Sequence, residues 1–205
     1  LHLAAINGGA VLLEHALKYK EFKRLVNSHS TRVNAKTVQP ARVASIHNLY
    51  QTALAKCCRY GHAPAAAVLL RFGARPDVVD AAKRTPCHIA CEYGFFECLN
   101  VLIEHGANPR LKDSRGRDAR DHCALGMSNK TVRRQPLDDV LSTLHRIVYK
   151  NGTTTAKRKR PKVDYKKCLR LLDAMEDLGV GGGSATVGWL FTRIFAPPAD
   201  DADDV

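Results

Sequence analysis

The sequence lacks any run of apolar residues that approaches the about 18 needed to cross a membrane as a helix. No secretory signal peptide is visible, and the chain begins with Leu1 rather than with methionine. Acidic residues are scarce: 20 Asp and Glu stand against 32 Lys and Arg, which gives a formal net charge of +12. The composition therefore predicts a chain without a membrane span, with a surplus of positive charge for acidic partners.

Arrangements typical of catalytic and metal sites are also missing. Cys87, His88 and Cys91 are spaced i, i+1 and i+4, which does not converge three side chains on one ion. Asp121-His122-Cys123 has neither a glycine elbow nor an evident oxyanion donor, so we expect no nucleophile there. The cysteines number seven, and most lie among small apolar residues. The cysteines predict buried, reduced thiols in a cytoplasmic or nuclear protein. Because the catalytic and metal-binding arrangements are missing, we also expect a protein that is not an enzyme and holds no cofactor or metal.

What the sequence does have is a period of 33 residues. Thr52-Ala53-Leu54 matches Thr85-Pro86-Cys87 at this spacing, Gly61 matches Gly94, and Gly73-Ala74 matches Gly106-Ala107. A further copy begins at Asp118. A fixed period with the same residue classes at the same places predicts a stack of structural repeats.

Each repeat predicts two helices and a polar loop. Thr85 suits the N-cap of a first helix and Pro86 its first position, while Gly94 can end it in the left-handed conformation. A second helix follows until Gly106, and a polar stretch then runs to Gly116. One such unit cannot bury its own apolar faces, so we expect Leu70, Leu99, Leu102 and Ile103 to be buried between repeats.

These residues resemble the ankyrin repeat family. Thr85-Pro86-Cys87-His88-Ile89-Ala90 is similar to the T-P-L-H-x-A signature of that family, and His105-Gly106-Ala107-Asn108-Pro109 to its close of the second helix. The second repeat departs from the signature at Ala53, Ala55 and Lys56. The resemblance covers roughly residues 1–150. It implies an all-α solenoid of about four helix-turn-helix repeats joined by β-hairpin-like loops.

The first and last repeats are irregular. Leu1 enters the signature in mid-motif, and 53 residues separate it from Leu54, 20 more than the period. We expect the surplus to lengthen the second helix of the first repeat and the following loop, from Thr37 to Gln51. A helix from Leu137 is expected to cap the last repeat. The broken motif at Leu1 also favours a fragment of a longer protein, with more repeats or an enzyme domain before it.

Beyond the predicted repeat domain (1–150), the sequence divides into a basic linker (151–162), a helical extension (163–196) and an acidic tail (197–205). The linker carries a dense basic run, and its members are Lys157, Arg158, Lys159, Arg160 and Lys162. The run is interpreted as a signal for a nuclear import receptor, as a nucleic-acid contact through residues 157–170, or as a solvated linker. A helix is predicted from Val163 to Leu178, and the apolar segment 187–195 is expected either to dock on the stack or to anchor a partner.

The resemblance implies a function in protein–protein binding through the concave face, with the chain itself a monomer. Carried over by position, the expected contact residues are Asn7, Arg59, Tyr60, Lys83, Arg84, Glu92, Tyr93, Arg110, Lys112, Arg115 and Arg117. The set is mostly cationic, which favours an acidic protein, although the same charges would also keep an elongated surface soluble. We expect Lys83, Arg84, Arg115 and Arg117 to be exposed on the loops.

Overall fold

The structure is a computed structural model that describes residues 1–30, 51–128 and 161–177. Within these ranges the chain forms helices connected by turns, and one isolated bridge joins His29 to Thr52. The helices are α1 (His2–Ile6), α2 (Ala10–Leu17), α3 (Lys20–Arg24), α4 (Ala53–Tyr60), α5 (Ala63–Arg71), α6 (Pro86–Tyr93), α7 (Phe96–Glu104), α8 (Ala119–Ser128) and α9 (Tyr165–Asp177). The all-α solenoid predicted from the sequence is confirmed.

Two consecutive helices make up each repeat, and local chemistry sets their ends. Thr52 caps α4 by accepting a hydrogen bond from the backbone N–H of Ala55 at 3.2 Å. Gly61 and Gly94 end α4 and α6 with φ of 72° and 70°, a left-handed conformation that suits glycine. Because only two or three residues separate the two helices of each pair, the second helix folds back against the first.

The helices stack in two layers. The first helices α1, α4, α6 and α8 pack side by side in chain order, and the second helices α2, α5 and α7 form the other layer. Leu99, Leu102 and Ile103 are fully buried, and Leu70 is 7% exposed, so the predicted inter-repeat core is confirmed. All seven cysteines are buried free thiols within this packing.

The long second helix predicted for the first repeat is wrong. Helix α2 ends at Leu17, the chain turns through Lys18 and Tyr19, and the short helix α3 begins at Lys20. Leu25 and Phe22 remain largely exposed, with 49% and 40% of their surface accessible. The apolar spacing continues through this stretch, but the turn redirects the chain and removes those side chains from the inner face.

Helix α9 takes the place of a second helix beside α8. It packs against both α8 and α7, as α7 packs against α6 and α5. Its apolar face is formed by Cys168, Leu171, Leu172 and Met175, all of them buried. The predicted helix from Val163 to Leu178 is thus confirmed in position, beginning two residues later, and it is part of the stack.

The hydrogen bonds at both ends of α9 fix its direction. The N–H of Asp164 donates to the carbonyl of Gly94 at 2.8 Å, which places the start of α9 beside the start of α7. Near the other end, Arg120 at the start of α8 pairs with Asp173 at 2.6 Å and with Glu176 at 2.7 Å. Helix α9 therefore runs parallel to α7 and antiparallel to α8, the orientation of a second helix in its repeat.

Several sequence predictions lie outside the described residues. They are the helix from Leu137, the basic residues 157–160, the apolar segment 187–195 and the acidic tail 197–205. The predicted boundary at residue 150 also falls there and stays a prediction.

Candidate functional site

Two polar hairpins project between the second helix of one repeat and the first helix of the next. In the first hairpin the N–H of Asp80 donates to the carbonyl of Arg84 at 3.0 Å, and Asp113 and Arg117 make the same bond at 2.8 Å. The predicted β-hairpin-like loops are confirmed by this pattern. The N–H of Ser114 donates to the carbonyl of Ala82 at 3.0 Å, so the two tips also contact each other.

An aspartate at the start of each hairpin holds the arginine four residues later. Nε and Nη2 of Arg84 donate to Oδ2 of Asp80 at 3.0 and 2.8 Å, and the backbone N–H of Arg84 donates to the other carboxylate oxygen at 3.0 Å. Asp113 and Arg117 repeat the arrangement at 3.1, 2.8 and 3.0 Å. Each pair joins both strands of its hairpin, so these arginines stabilise the fold.

The environment of Asp113 shows how strongly this arrangement favours the carboxylate. Burial alone raises the pKa of Asp113, but hydrogen bonds from the backbone and side chain of Arg117 and from His122 lower the pKa well below its ordinary value. Asp113 is 6% exposed, so its carboxylate interacts with neighbouring groups of the protein rather than with solvent.

The exposure predicted for two of the arginines is wrong. Arg84 is 7% exposed, because its third donor Nη1 binds Oε2 of Glu92 at 2.9 Å in addition to the bonds with Asp80. Arg117 is half-buried beside Asp113. Lys83 and Arg115, at the tips, are exposed as predicted.

His88 links its own helix to the next hairpin. The backbone N–H of Thr85 donates to Nδ1 of His88 at 3.0 Å, which leaves Nε2 to donate to the carbonyl of Arg117 at 3.1 Å. His2 stands in the same place two repeats earlier, with Nε2 at 3.2 Å from the carbonyl of Gln51. Burial and the nearby His122 lower the pKa of His88, so the neutral form fills this role.

His122 extends the polar network from the second hairpin to α6. Its Nε2 donates to Oδ2 of Asp113 at 3.0 Å, and its Nδ1 lies 3.9 Å from Oε2 of Glu92. Its ring meets that of His88 edge-on, with centroids 5.0 Å apart. Arg84, Glu92, His122 and Asp113 therefore form a connected set of polar groups across two repeats.

Tyr60 and Tyr93 occupy equivalent positions at the ends of α4 and α6, and Arg59 lies between them. The guanidinium of Arg59 is 5.2 Å from the centroid of the Tyr93 ring, within range of a cation–π interaction. The Tyr93 ring also stacks on Phe95, with centroids 6.2 Å apart. Arg59 and Tyr60 are 7% and 8% exposed, whereas Tyr93 and Glu92 are half-buried. The first helices thus expose less of the predicted set of contact residues than the sequence suggested.

The remaining predicted contact residues are exposed. They are Asn7, Lys83, Arg110, Lys112 and Arg115. Arg110 also donates from Nη2 to the carbonyl of Met175 at 3.4 Å, so it contributes to the docking of α9. The hairpins bring Lys83 and Arg115 onto neighbouring tips, since the backbones of residues 82 and 114 are hydrogen-bonded.

Sequence reasoning missed Asp80, Asp113 and His122 as parts of this surface. The pattern that could have found the two aspartates is an Asp four residues before an Arg, which occurs twice at a spacing of 33. No comparable pattern identifies His122, because its partners Asp113 and Glu92 come from a hairpin and from another helix.

Within the described residues, no group of His, Cys, Asp or Glu side chains could hold a metal ion. In the same part of the chain, no helix has the length and apolar character to span a membrane. Burial raises the thiol pKa of Cys87, so this thiol stays protonated.

A family model supports this reading of the repeats. The model for ankyrin repeats in three copies matches residues 1–113, more than half of the chain. No curated protein matches the sequence.

Proposed function

Because the chain belongs to the ankyrin repeat family, whose members are generally protein–protein interaction modules, we propose that it binds a protein partner along its hairpin tips and first helices. The observation that carries this proposal is the pair of clamped hairpins with exposed cationic tips. The Asp80–Arg84 and Asp113–Arg117 pairs fix the two loops, and the bond between residues 82 and 114 fixes their relative position. A partner therefore meets a preorganised surface, which lowers the entropic cost of binding.

The charge of the tips favours an acidic partner. Lys83, Lys112 and Arg115 are exposed, and within the described residues none of them forms an ion pair with a carboxylate. By contrast, Asp80 and Asp113 are buried and matched by their arginines. Exposed cations at the rim of a surface mainly accelerate association with an acidic protein.

Tyr93 supplies the apolar part of the surface. It is half-buried, and its ring is held between Arg59 and Phe95, so little conformational entropy remains for binding to remove. Tyrosines in such positions often dominate the energy of an interface. We expect Tyr93 to govern the dissociation of the partner and the tip cations to govern its association.

The experiment uses the full chain to capture partners by crosslinking, followed by binding kinetics with each purified partner. Tyr93→Ala should weaken the complex by more than ~1 kcal/mol, mainly through faster dissociation. Lys83→Glu and Arg115→Glu should slow association, and more so at low salt. Lys18→Glu is the control, since Lys18 is exposed at the end of α2. Binding that is indifferent to all three changes would overturn the proposal.

A nucleic-acid function through the basic residues 157–170 is the alternative class. Salt dependence distinguishes nucleic-acid binding from protein binding, because contacts with many phosphates give a steep log-linear fall of affinity with salt concentration. A shallow salt dependence with loss on Tyr93→Ala favours the protein partner.

A further inference from the structure

Three of the buried thiols meet where α6, α8 and α9 pack together. Cys91 lies on α6, Cys123 on α8 and Cys168 on α9, and all three are fully buried. The thiol of Cys123 shares side-chain hydrogen bonds with those of Cys91 and Cys168. Three separate helices therefore bring their cysteine side chains into mutual contact.

A second group of thiols lies deeper in the stack and offers a comparison. Cys58 on α4 and Cys98 near the start of α7 are fully buried, and their side chains are hydrogen-bonded to each other. Helix α7 has a neighbour of its own layer on each side, α5 and α9. The two groups of thiols thus resemble each other chemically but differ in the structure that covers them.

Helix α9 covers the first group and is held by contacts near the surface. It packs against α8 and α7, whereas α7 packs against α4, α5, α6 and α9. The ion pairs of Arg120 with Asp173 and Glu176 join side chains that are each close to half exposed, so water weakens them. Elements with fewer packing neighbours open locally before the rest of a fold. Opening of α9 would give solutes access to Cys123 and Cys168, while α7 stays packed over Cys58.

The hydrogen bonds make Cys123 the reactive sulfur of the group. Hydrogen bonds from Cys168 and Cys91 lower the pKa of Cys123 to about 5, against the effect of burial, and the neighbouring His122 lowers it further. The hydrogen bond with Cys123 raises the pKa of Cys168 instead. The thiolate is the nucleophilic form of cysteine, so Cys123 is the sulfur that attacks and Cys168 is the thiol that stays protonated.

We propose that Cys123 and Cys168 are a redox modification site, and that a peroxide joins them in a reversible disulfide which locks α9 onto the stack. This inference goes beyond the proposed binding function and does not depend on it. A disulfide formed in this way from reduced, buried thiols is transient, since a dithiol reductant can reverse it.

The reaction takes place in two steps. With α9 open, the Cys123 thiolate attacks one oxygen of hydrogen peroxide, the O–O bond breaks, and hydroxide leaves. Closure of α9 then brings the Cys168 sulfur onto the sulfenic acid of Cys123. The S–S bond forms as the S–O bond breaks, and the hydroxyl leaves with the Cys168 proton as water. Overall the two thiols lose two electrons and two protons, and the peroxide becomes two molecules of water.

The test treats the full chain with hydrogen peroxide and then alkylates the remaining thiols with N-ethylmaleimide in denaturant. Mass spectrometry without reduction identifies the cross-linked peptides. The peptides that contain Cys123 and Cys168 should be linked, and dithiothreitol should separate them. Cys58 and Cys98 should be recovered as alkylated thiols, which makes them the control within the same molecule.

Single substitutions separate the roles of the residues. Cys168→Ser should leave Cys123 as a sulfenic acid that dimedone traps, because no thiol is left on α9 to displace the hydroxyl. Cys91→Ser should still form the cross-link. Tyr165→Ala should accelerate cross-linking several-fold, because Tyr165 ties the start of α9 to the carbonyl of Glu92. Lys166→Ala, at an exposed position on the same helix turn, should leave the rate unchanged.

Amide hydrogen exchange supplies a readout of the lock in the unsubstituted chain. After oxidation, the amides of α9 should exchange at least about tenfold more slowly, because a cross-link restricts the open state. The amides of α4 should keep their rates. In Cys168→Ser, peroxide should leave the exchange of α9 unchanged.

Three outcomes would overturn the inference. The first is oxidation of Cys58 and Cys98 as fast as that of Cys123, which would mean that opening of α9 does not select the site. The second is a cross-link between Cys91 and Cys123 in place of the one to Cys168. The third is recovery of all seven cysteines as alkylated thiols after peroxide treatment.

Discussion

The hydroxyl of Tyr165 donates to the backbone carbonyl of Glu92 at 3.0 Å, and this bond ties the start of α9 to the end of α6. The Tyr165 ring also lies over Gly94 and Gly126, where an added Cβ would come within 2.9 and 2.7 Å of it. Gly126 is the equivalent of Tyr60 and Tyr93, so a glycine on α8 leaves room for a tyrosine from a distant segment. The last pair of helices is completed by α9, which begins 37 positions after the end of α8.

The first prediction concerns the docking of α9. Tyr165→Ala should increase the rate at which iodoacetamide alkylates Cys168, because Cys168 is fully buried under this helix. Mass spectrometry of the peptide that contains Cys168 measures the rate. Lys166→Ala is the control, since Lys166 is exposed on the same helix turn. Equal rates in the two variants would mean that Tyr165 does not hold α9 in place.

The second prediction concerns two glycines with left-handed backbones. Gly116 has φ of 74° and open space around it, so Gly116→Ala should cost about 1 kcal/mol through the backbone alone. At Gly94, with φ of 70°, an added Cβ would also meet Tyr165 and Val163 at 2.9 Å. Gly94→Ala should therefore cost more in urea unfolding and should also speed the alkylation of Cys168. Similar behaviour of the two variants would contradict this.

The third prediction concerns the core. Leu102→Ala should destabilise the protein by roughly 2–5 kcal/mol, since the side chain is fully buried between repeats and its removal leaves a cavity. Leu111→Ala is the comparison, because Leu111 is 36% exposed on a hairpin. Urea unfolding monitored by circular dichroism measures both. A change below about 0.5 kcal/mol at Leu102 would show that the assignment of helix faces is wrong.

The fourth prediction concerns pH. Burial lowers the folded-state pKa of His88 below the ordinary value of 6.5, so the unfolded chain binds more protons as the pH falls through 6.5. The contribution of His88 is thus present above pH 6.5 and is lost as the pH falls towards its folded pKa. The urea midpoint should decrease across this range, and His88→Gln should reduce the decrease. His105→Gln, at an exposed histidine, should leave it unchanged.

The fifth prediction concerns localisation. Residues 151–170 fused to a fluorescent cargo should concentrate it in the nucleus, and changing Lys157, Arg158, Lys159 and Arg160 to alanine should abolish this accumulation. Lys162, the last member of the run, is exposed beside Pro161, which lies against Gly61. Microscopy of both fusions measures the effect, and nuclear accumulation that survives the fourfold change would assign the run another role.

The candidate surface was predictable only in part. The period of 33 located the tip residues Lys83 and Arg115 correctly, because turn chemistry is local. It also placed Arg84 among exposed cations, although Asp80 and Glu92 enclose it. Whether Arg84 is enclosed depends on the distance between Glu92 on its helix and the hairpin. The pattern of residue classes alone does not give that distance.

The sequence by itself determined the repeat, its helix ends and its buried positions. Thr52, Thr85, Gly61 and Gly94 act through hydrogen bonds and backbone angles within a few residues of themselves. Only the tertiary structure decided that α9 completes the stack and that Glu92 encloses Arg84. Both depend on contacts between separate elements of the fold, and the physical reason is that burial and charge compensation are set by neighbours in space.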